Sequence, residues 1–180
     1  MSSPGANRDS ERESLLQLFR RTEAFYLATL DGVSPEQAGF KAGPGRWSIG
    51  EIAEHVAATE EFIYELATAA TPSSEGSDPL VDERIHRRAA DRQRTFVAPE
   101  RVCPYGRFET IALAAAAFRA ALQKTIVYVE RSKDELRRLR VMHPAAGSID
   151  VYQNLLIMAY HPERHAKQIE EVKASPGYPR

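Results

Sequence analysis

The chain has 180 residues, with 24 Lys or Arg, 25 Asp or Glu and five histidines, for a formal net charge of −1. That length suits one domain with one substantial core rather than two, and the balanced charge excludes a global field that would recruit nucleic acid or an anionic membrane. The single cysteine, Cys103, excludes an intrachain disulfide and a cysteine-rich zinc site, so any metal must be held by His and carboxylate groups. Thiol chemistry by Cys103 itself is not expected, because it sits in a Val-Cys-Pro-Tyr-Gly turn with no histidine beside it. The polar N-terminus lacks an apolar leader core, and no later run approaches the roughly 20 apolar residues of a membrane span, so a cytoplasmic protein is expected. Basic runs at 84–94 and 131–140 are interrupted by acids and have little aromatic interleaving. Each reads as a solvated helix face rather than a nucleic-acid patch.

Residues 1–9 read as a disordered lead-in, 10–174 as a single domain and 175–180 as a tail. Ser10 and Glu13 have the spacing of a capping box, and Leu15, Leu18, Phe19, Thr22, Tyr26 and Leu30 then follow at helical spacing until Asp31-Gly32 stops the first helix. The Gly- and Pro-rich stretch to Trp47 reads as a loop. Ser48 and Glu51 form a second capping box, with Trp47 placed to staple onto Ile52. The second helix then buries Ile52, Val56, Thr59, Ile63 and Leu66, with His55 at the border of that stripe and able to face inward. Turn formers fill 72–79. Residues 80–107 carry the weakest pattern: a short surface helix around Ile85, then extended or irregular chain through the prolines, forming a crossover connection. Phe108, Ile111, Ala115, Phe118, Leu122, Ile126 and Val129 mark an alanine-rich third helix, which residues 134–140 either extend or follow as a separate turn.

The fourth helix is expected to start at a Ser148 cap and run to Val172. His161 and His165 lie four apart, hence on one face, with Asn154, Met158, Gln168, Ile169 and Val172, so both imidazoles are expected to point into the core. Buried ring nitrogens need a hydrogen bond or a ligand. Two ligands do not complete a site, since catalytic zinc takes three protein ligands and leaves one position open. His55 would supply the third, while His86, in an arginine run, and His143, in a Pro turn, are weaker competitors expected to be exposed. Pro162 between the two histidines removes a backbone donor and is expected to kink the helix. Four helical patterns with no strand-period run give an all-α four-helix bundle, with the long crossover between helices two and three.

The segment Gly45-Arg46-Trp47-Ser48-Ile49-Gly50-Glu51-Ile52-Ala53-Glu54-His55, paired with Tyr152-Gln153-Asn154-Leu155-Leu156 and His161-Pro162-Glu163-Arg164-His165-Ala166-Lys167-Gln168-Ile169, resembles the two signature regions of the DinB-like superfamily. The resemblance covers residues 10–173. It implies a four-helix bundle, often dimeric, whose divalent ion, zinc or nickel, is held by one histidine of helix two and two of helix four: here His55, His161 and His165. It also implies an enzyme that activates a water or a low-molecular-weight thiol, of the hydrolase or thiol S-transferase type, acting on a small molecule as a homodimer. Glu51 and Gln168 are candidates to orient ligands or carry protons beside that site. The competing expectation is a non-catalytic bundle, with or without metal, that acts through dimerisation or partner binding.

Overall fold

The computed structural model describes residues 4–93 and 96–180. Six helices are present among them: α1 (Pro4–Leu30), α2 (Pro35–Gly39), α3 (Ile49–Thr68), α4 (Pro79–Arg88), α5 (Ile111–Arg131) and α6 (Val151–Lys173). Three short strands, β1 (Thr71–Pro72), β2 (Leu139–His143) and β3 (Gly147–Asp150), complete the architecture with two 3-10 turns, Glu100–Val102 and Leu136–Arg138.

Four long helices form the bundle. α1 packs against α6 and α5, and α3 packs against α5 and α6. Among the described residues, helices consecutive in the bundle, α1 and α3 or α5 and α6, share no comparable interface, so they sit across its diagonals. The centre is filled by Phe19 and Tyr26 of α1, Ile52, Val56 and Ile63 of α3, Phe118, Leu122 and Val129 of α5, and Leu155, Met158 and Ile169 of α6, all essentially removed from water. Tyr26 and Phe118 meet edge to face with ring centres 4.9 Å apart. Among the described residues α5 alone is long and apolar enough to cross a membrane, yet its Phe118, Leu122 and Val129 are committed to the bundle core.

Local chemistry sets the starts of these helices. Ser48 caps α3 with the reciprocal Ser48–Glu51 box expected from the sequence, Thr110 caps α5 and Asp78 caps α4. α4 is the expected surface helix, with Ile85 alone buried.

Several expectations need correction. α1 begins at Pro4, so residues 4–9 are helical, Ser10 lies inside the helix and its box with Glu13 is not a cap; residues 1–3 of the expected lead-in lie outside the described residues. The stretch before Trp47 contains α2, which carries its own box between Ser34 and Gln37. α6 starts at Val151, capped by Asp150 in a box with Gln153 rather than by Ser148, which is in a strand. α6 then continues through Pro162 as one helix. The tail returns to α2: Gln37 donates to the Pro179 carbonyl, 3.1 Å, and Tyr178 meets Phe40 edge-on.

The sheet is the largest departure from an all-helical expectation. β2 and β3 form an antiparallel hairpin with Val141 opposite Ile149 and His143 opposite Gly147, and β1 adds to the other edge of β2. Along β2 Val141 and His143 are buried while Met142 is exposed, the alternation of a half-buried strand. Gly147, at φ +73°, supplies the left-handed residue that closes the hairpin turn. Residues 136–140 are therefore not a solvated helix face. Arg137 bonds Glu11, Asp82 and Ser77, lies 3.4 Å from Asp150, and stacks 3.8 Å over the Tyr152 ring.

Candidate metal centre

The Ser48 cap starts α3 seven residues before His55, and the ring packs against the middle of α6. There it meets His161 and His165. One ring nitrogen from each of the three lies within 4.8 Å of the others, and the ring centres are 4.4–5.1 Å apart. His55 and His165 are buried and His161 is partly so. The three positions singled out in the sequence thus come together from two helices.

The hydrogen bonds determine which nitrogens face inward. The Nδ1–H of His55 donates to the Val102 carbonyl, 2.9 Å, and the Nδ1–H of His165 donates to Gln168 Oε1, 2.8 Å. Both rings therefore keep an unprotonated Nε2 for a ligand, since a neutral imidazole has one donor and one acceptor. Nε2 of His55 and Nε2 of His161 face each other at 3.3 Å. Two ligands of a tetrahedral zinc, each 2.0–2.1 Å from it, lie about 3.3–3.4 Å apart. The Nδ1 of His161 is buried without a partner among the described residues, making this the least supported ring of the three.

Electrostatics keep the cluster neutral. Burial pushes the pKa of all three histidines down, well below the usual value for His161 and His165; Arg107 pushes the same way at His55, and neighbouring imidazoles and Arg164 do so at His161 and His165. Neutral rings with exposed lone pairs are the form that binds a metal. Without a shared cation, three buried imidazoles with converging nitrogens would be an expensive arrangement. The donor set, three imidazoles and no thiolate, suits zinc, nickel, copper or iron better than magnesium or calcium.

The remaining candidates divide. Gln168 holds His165 as described. Both oxygens of Glu51 are engaged in the start of α3: one accepts the Ser48 N–H and the other the Lys41 ammonium, each 2.8 Å away. His86 is exposed and bonded to the Tyr160 hydroxyl, as its surroundings implied. His143 is buried, contrary to expectation, because it sits on the inner face of β2. Its Nδ1 accepts the N–H groups of Ala145 and Ala146, and burial pushes its pKa down to about 4. Cys103 is half-buried and its Sγ faces the Ala98 carbonyl at 3.6 Å. The Val102 carbonyl was missed, since a backbone acceptor leaves no mark in residue type. Trp47, expected only as a staple, also packs on the His55 ring, with centres 4.8 Å apart.

A four-helix bundle with three histidines converging from two of its helices is one class of metal-binding scaffold. The family model of the DinB superfamily matches residues 18–169, and the chain belongs to that superfamily. The fold is similar to a solved structure described as "YfiT from Bacillus subtilis is a probable metal-dependent hydrolase with an unusual four-helix bundle topology", at TM-score 0.59 and 14% identity over 93% of this chain and 89% of that one. No curated protein matches the sequence significantly.

Proposed function

We propose that this chain is a metal-dependent enzyme of the hydrolase or thiol S-transferase type, with a divalent ion, zinc or nickel, held by His55, His161 and His165. The observation that carries the reading is the convergence of three neutral imidazole nitrogens within 4.8 Å, two of them aimed by Nδ1–H bonds to Val102 and Gln168. The description of YfiT as a probable metal-dependent hydrolase lends support to the first of the two activities. A divalent ion bound there supplies Lewis-acid chemistry, lowering the pKa of a water or thiol that binds it.

The chain's own residues do the rest. Three imidazoles leave room for a fourth ligand, as catalytic zinc sites do. Gln168 keeps His165 in the Nδ1–H tautomer, and the partly exposed His161 marks the side open to solvent. Glu51, engaged by its cap and by Lys41, acts on helix α3 and not on substrate in this reading. The substrate is a small molecule, with a low-molecular-weight thiol as co-substrate in the transferase case. The protein works as a cytoplasmic homodimer without nucleic acid. The crossover reading of the connection from α3 to α5 belongs with this proposal; it draws support from the pairing of β1, just after α3, with β2, just after α5, since two helices that end side by side need a connection that runs back along the bundle.

Elemental analysis by inductively coupled plasma mass spectrometry tests it on the untagged protein beside His55→Ala, His161→Ala and His165→Ala. A near-stoichiometric ion in the wild type, lost in all three variants with little change in the metal-free melting temperature, is the expected result. No ion after loading with zinc or nickel would discard it in favour of a non-catalytic bundle. Retention of the ion in any variant would remove that residue from the ligand set.

A further inference from the structure

His55 is aimed by a carbonyl that belongs to a loop, and loops are ordinarily the least ordered part of a domain. The 3-10 turn Glu100–Val102 and residues 103–107 are irregular chain with Val102 as their only buried hydrophobic residue. Something other than apolar packing must hold the Val102 carbonyl 2.9 Å from His55 Nδ1.

Glu54, the residue before His55, is buried to 4% exposure. Its carboxylate accepts the backbone N–H groups of Tyr105, Gly106 and Arg107 at 2.7, 2.9 and 3.1 Å, and the Arg107 guanidinium at 2.6 Å. Three successive amides converge on one anion because Gly106 takes φ +91°, a concave backbone arrangement that gathers N–H groups. The same guanidinium donates onward to the Cys103 and Arg101 carbonyls, each 2.8 Å away, which ties the two residues flanking Val102 to the clamp. Arg107 also lies 3.8 Å over the Tyr105 ring. A buried ion pair adds little net stability over a well-packed apolar pair. Its geometric effect is large, because four bonds, three from backbone N–H groups and one from the Arg107 guanidinium, end on a single side chain of α3.

We propose that Glu54 is the positioning residue of the metal centre: through its clamp on residues 105–107 it places the Val102 carbonyl, which holds His55 in the Nδ1–H tautomer with Nε2 free to ligate. This rests on the ligand role given to His55 above. Partners of this kind typically account for 10–100-fold in metal affinity.

The experiment combines a zinc titration against a competing chelator with long-range proton–nitrogen NMR of the His55 ring in the metal-free protein, on wild type and Glu54→Gln. Glu54→Gln keeps the shape and removes the charge. The expected result is a single Nδ1–H signature for His55 in the wild type, a mixture of tautomers in Glu54→Gln, and zinc affinity about 10–100-fold lower in the variant. Unchanged affinity together with an unchanged tautomer would overturn the proposal. If the wild type takes no zinc, the functional reading fails, while the tautomer measurement still decides the positioning role in either direction. Should circular dichroism show Glu54→Gln unfolded, Arg107→Gln, which weakens the same clamp and leaves the carboxylate, carries the test: a native tautomer at native affinity there overturns it.

Discussion

α6 carries two polar clusters, one at its N-terminal end and one past its middle, and their hydrogen bonds are completed in opposite ways. At the first, the Asp150–Gln153 cap meets Arg137, and Gln153 also donates to Asp82 and to the Asp78 carbonyl. Arg137 spends its guanidinium on Glu11, Asp82 and Ser77, so α1, α4, α6 and the turn before β2 are tied at one point. At the second, two Nδ1 atoms are satisfied from behind while the nitrogens in front face one another across 3.3 Å or more. The first cluster closes on itself, which is how a polar network specifies a fold. The second is finished only behind His55 and His165, with the inner nitrogens left facing one another, which is how a site waits for a ligand.

The two clusters should therefore respond differently to substitution. Arg137→Met leaves Asp150, Asp82 and Glu11 partly buried without their cation, and breaking such a set costs about 3–5 kcal/mol, or roughly 6–20 °C in a protein of this size. Thermal unfolding measures it, with zinc binding at low temperature expected to survive. A melting temperature within a degree or two of the wild type would mean that the hub does not hold the fold, and the contrast with the triad would collapse.

Acid is the next lever, through His143. Burial lowers its pKa from 6.5 to about 4, so the unfolded chain takes up its proton first. Its contribution is complete above pH 6.5 and is lost as pH falls toward 4, at most about 3 kcal/mol at 1.36 kcal/mol per unit. His143→Asn, whose side-chain oxygen can accept the Ala145 and Ala146 N–H groups, should flatten stability against pH in that window. The triad histidines keep their own acid sensitivity, so the difference between the two curves is the readout. Identical curves would refute a titrating role for His143.

Glu60 sharpens the comparison from the other side. It is fully buried in α3, neither oxygen has a partner among the described residues, and the Tyr26 hydroxyl is likewise unpartnered. Burial pushes its pKa well above 4.5, so the folded protein holds the proton more tightly than the unfolded chain. Its own contribution is complete below pH 4.5 and is lost as pH rises toward the folded-state value. Glu60→Gln should remove this loss. Glu60→Met should raise stability at neutral pH by about 1–3 kcal/mol, by removing an unsatisfied buried group. Denaturant unfolding at pH 5 and pH 8 measures both, and a wild type no less stable at pH 8 than Glu60→Gln would contradict it.

Most of the centre was legible because its signals are local. Capping at Ser48, the inward stripe of α3 and the four-residue spacing of His161 and His165 each follow from neighbours within a turn or two, and α-helical geometry converts spacing into direction. The end of the bundle near β2 was not legible. A hairpin of four- and five-residue strands shows only one or two alternations, and a tertiary partner, not periodicity, makes them strands. The same reasoning explains Ser148: as a cap residue it was locally plausible, but pairing of β3 moved the start of the helix to Asp150.

The sequence by itself determined the helical bundle, its family and the three histidines that face one another, since each depends on short-range pattern. Tertiary structure alone decided the tautomer of His55, the burial of His143 and the conversion of Arg137 from a surface charge into a hub. Those depend on partners 47 residues away for Val102 and 55 and 126 for Asp82 and Glu11, where the chain's local preferences carry no information about which groups will meet.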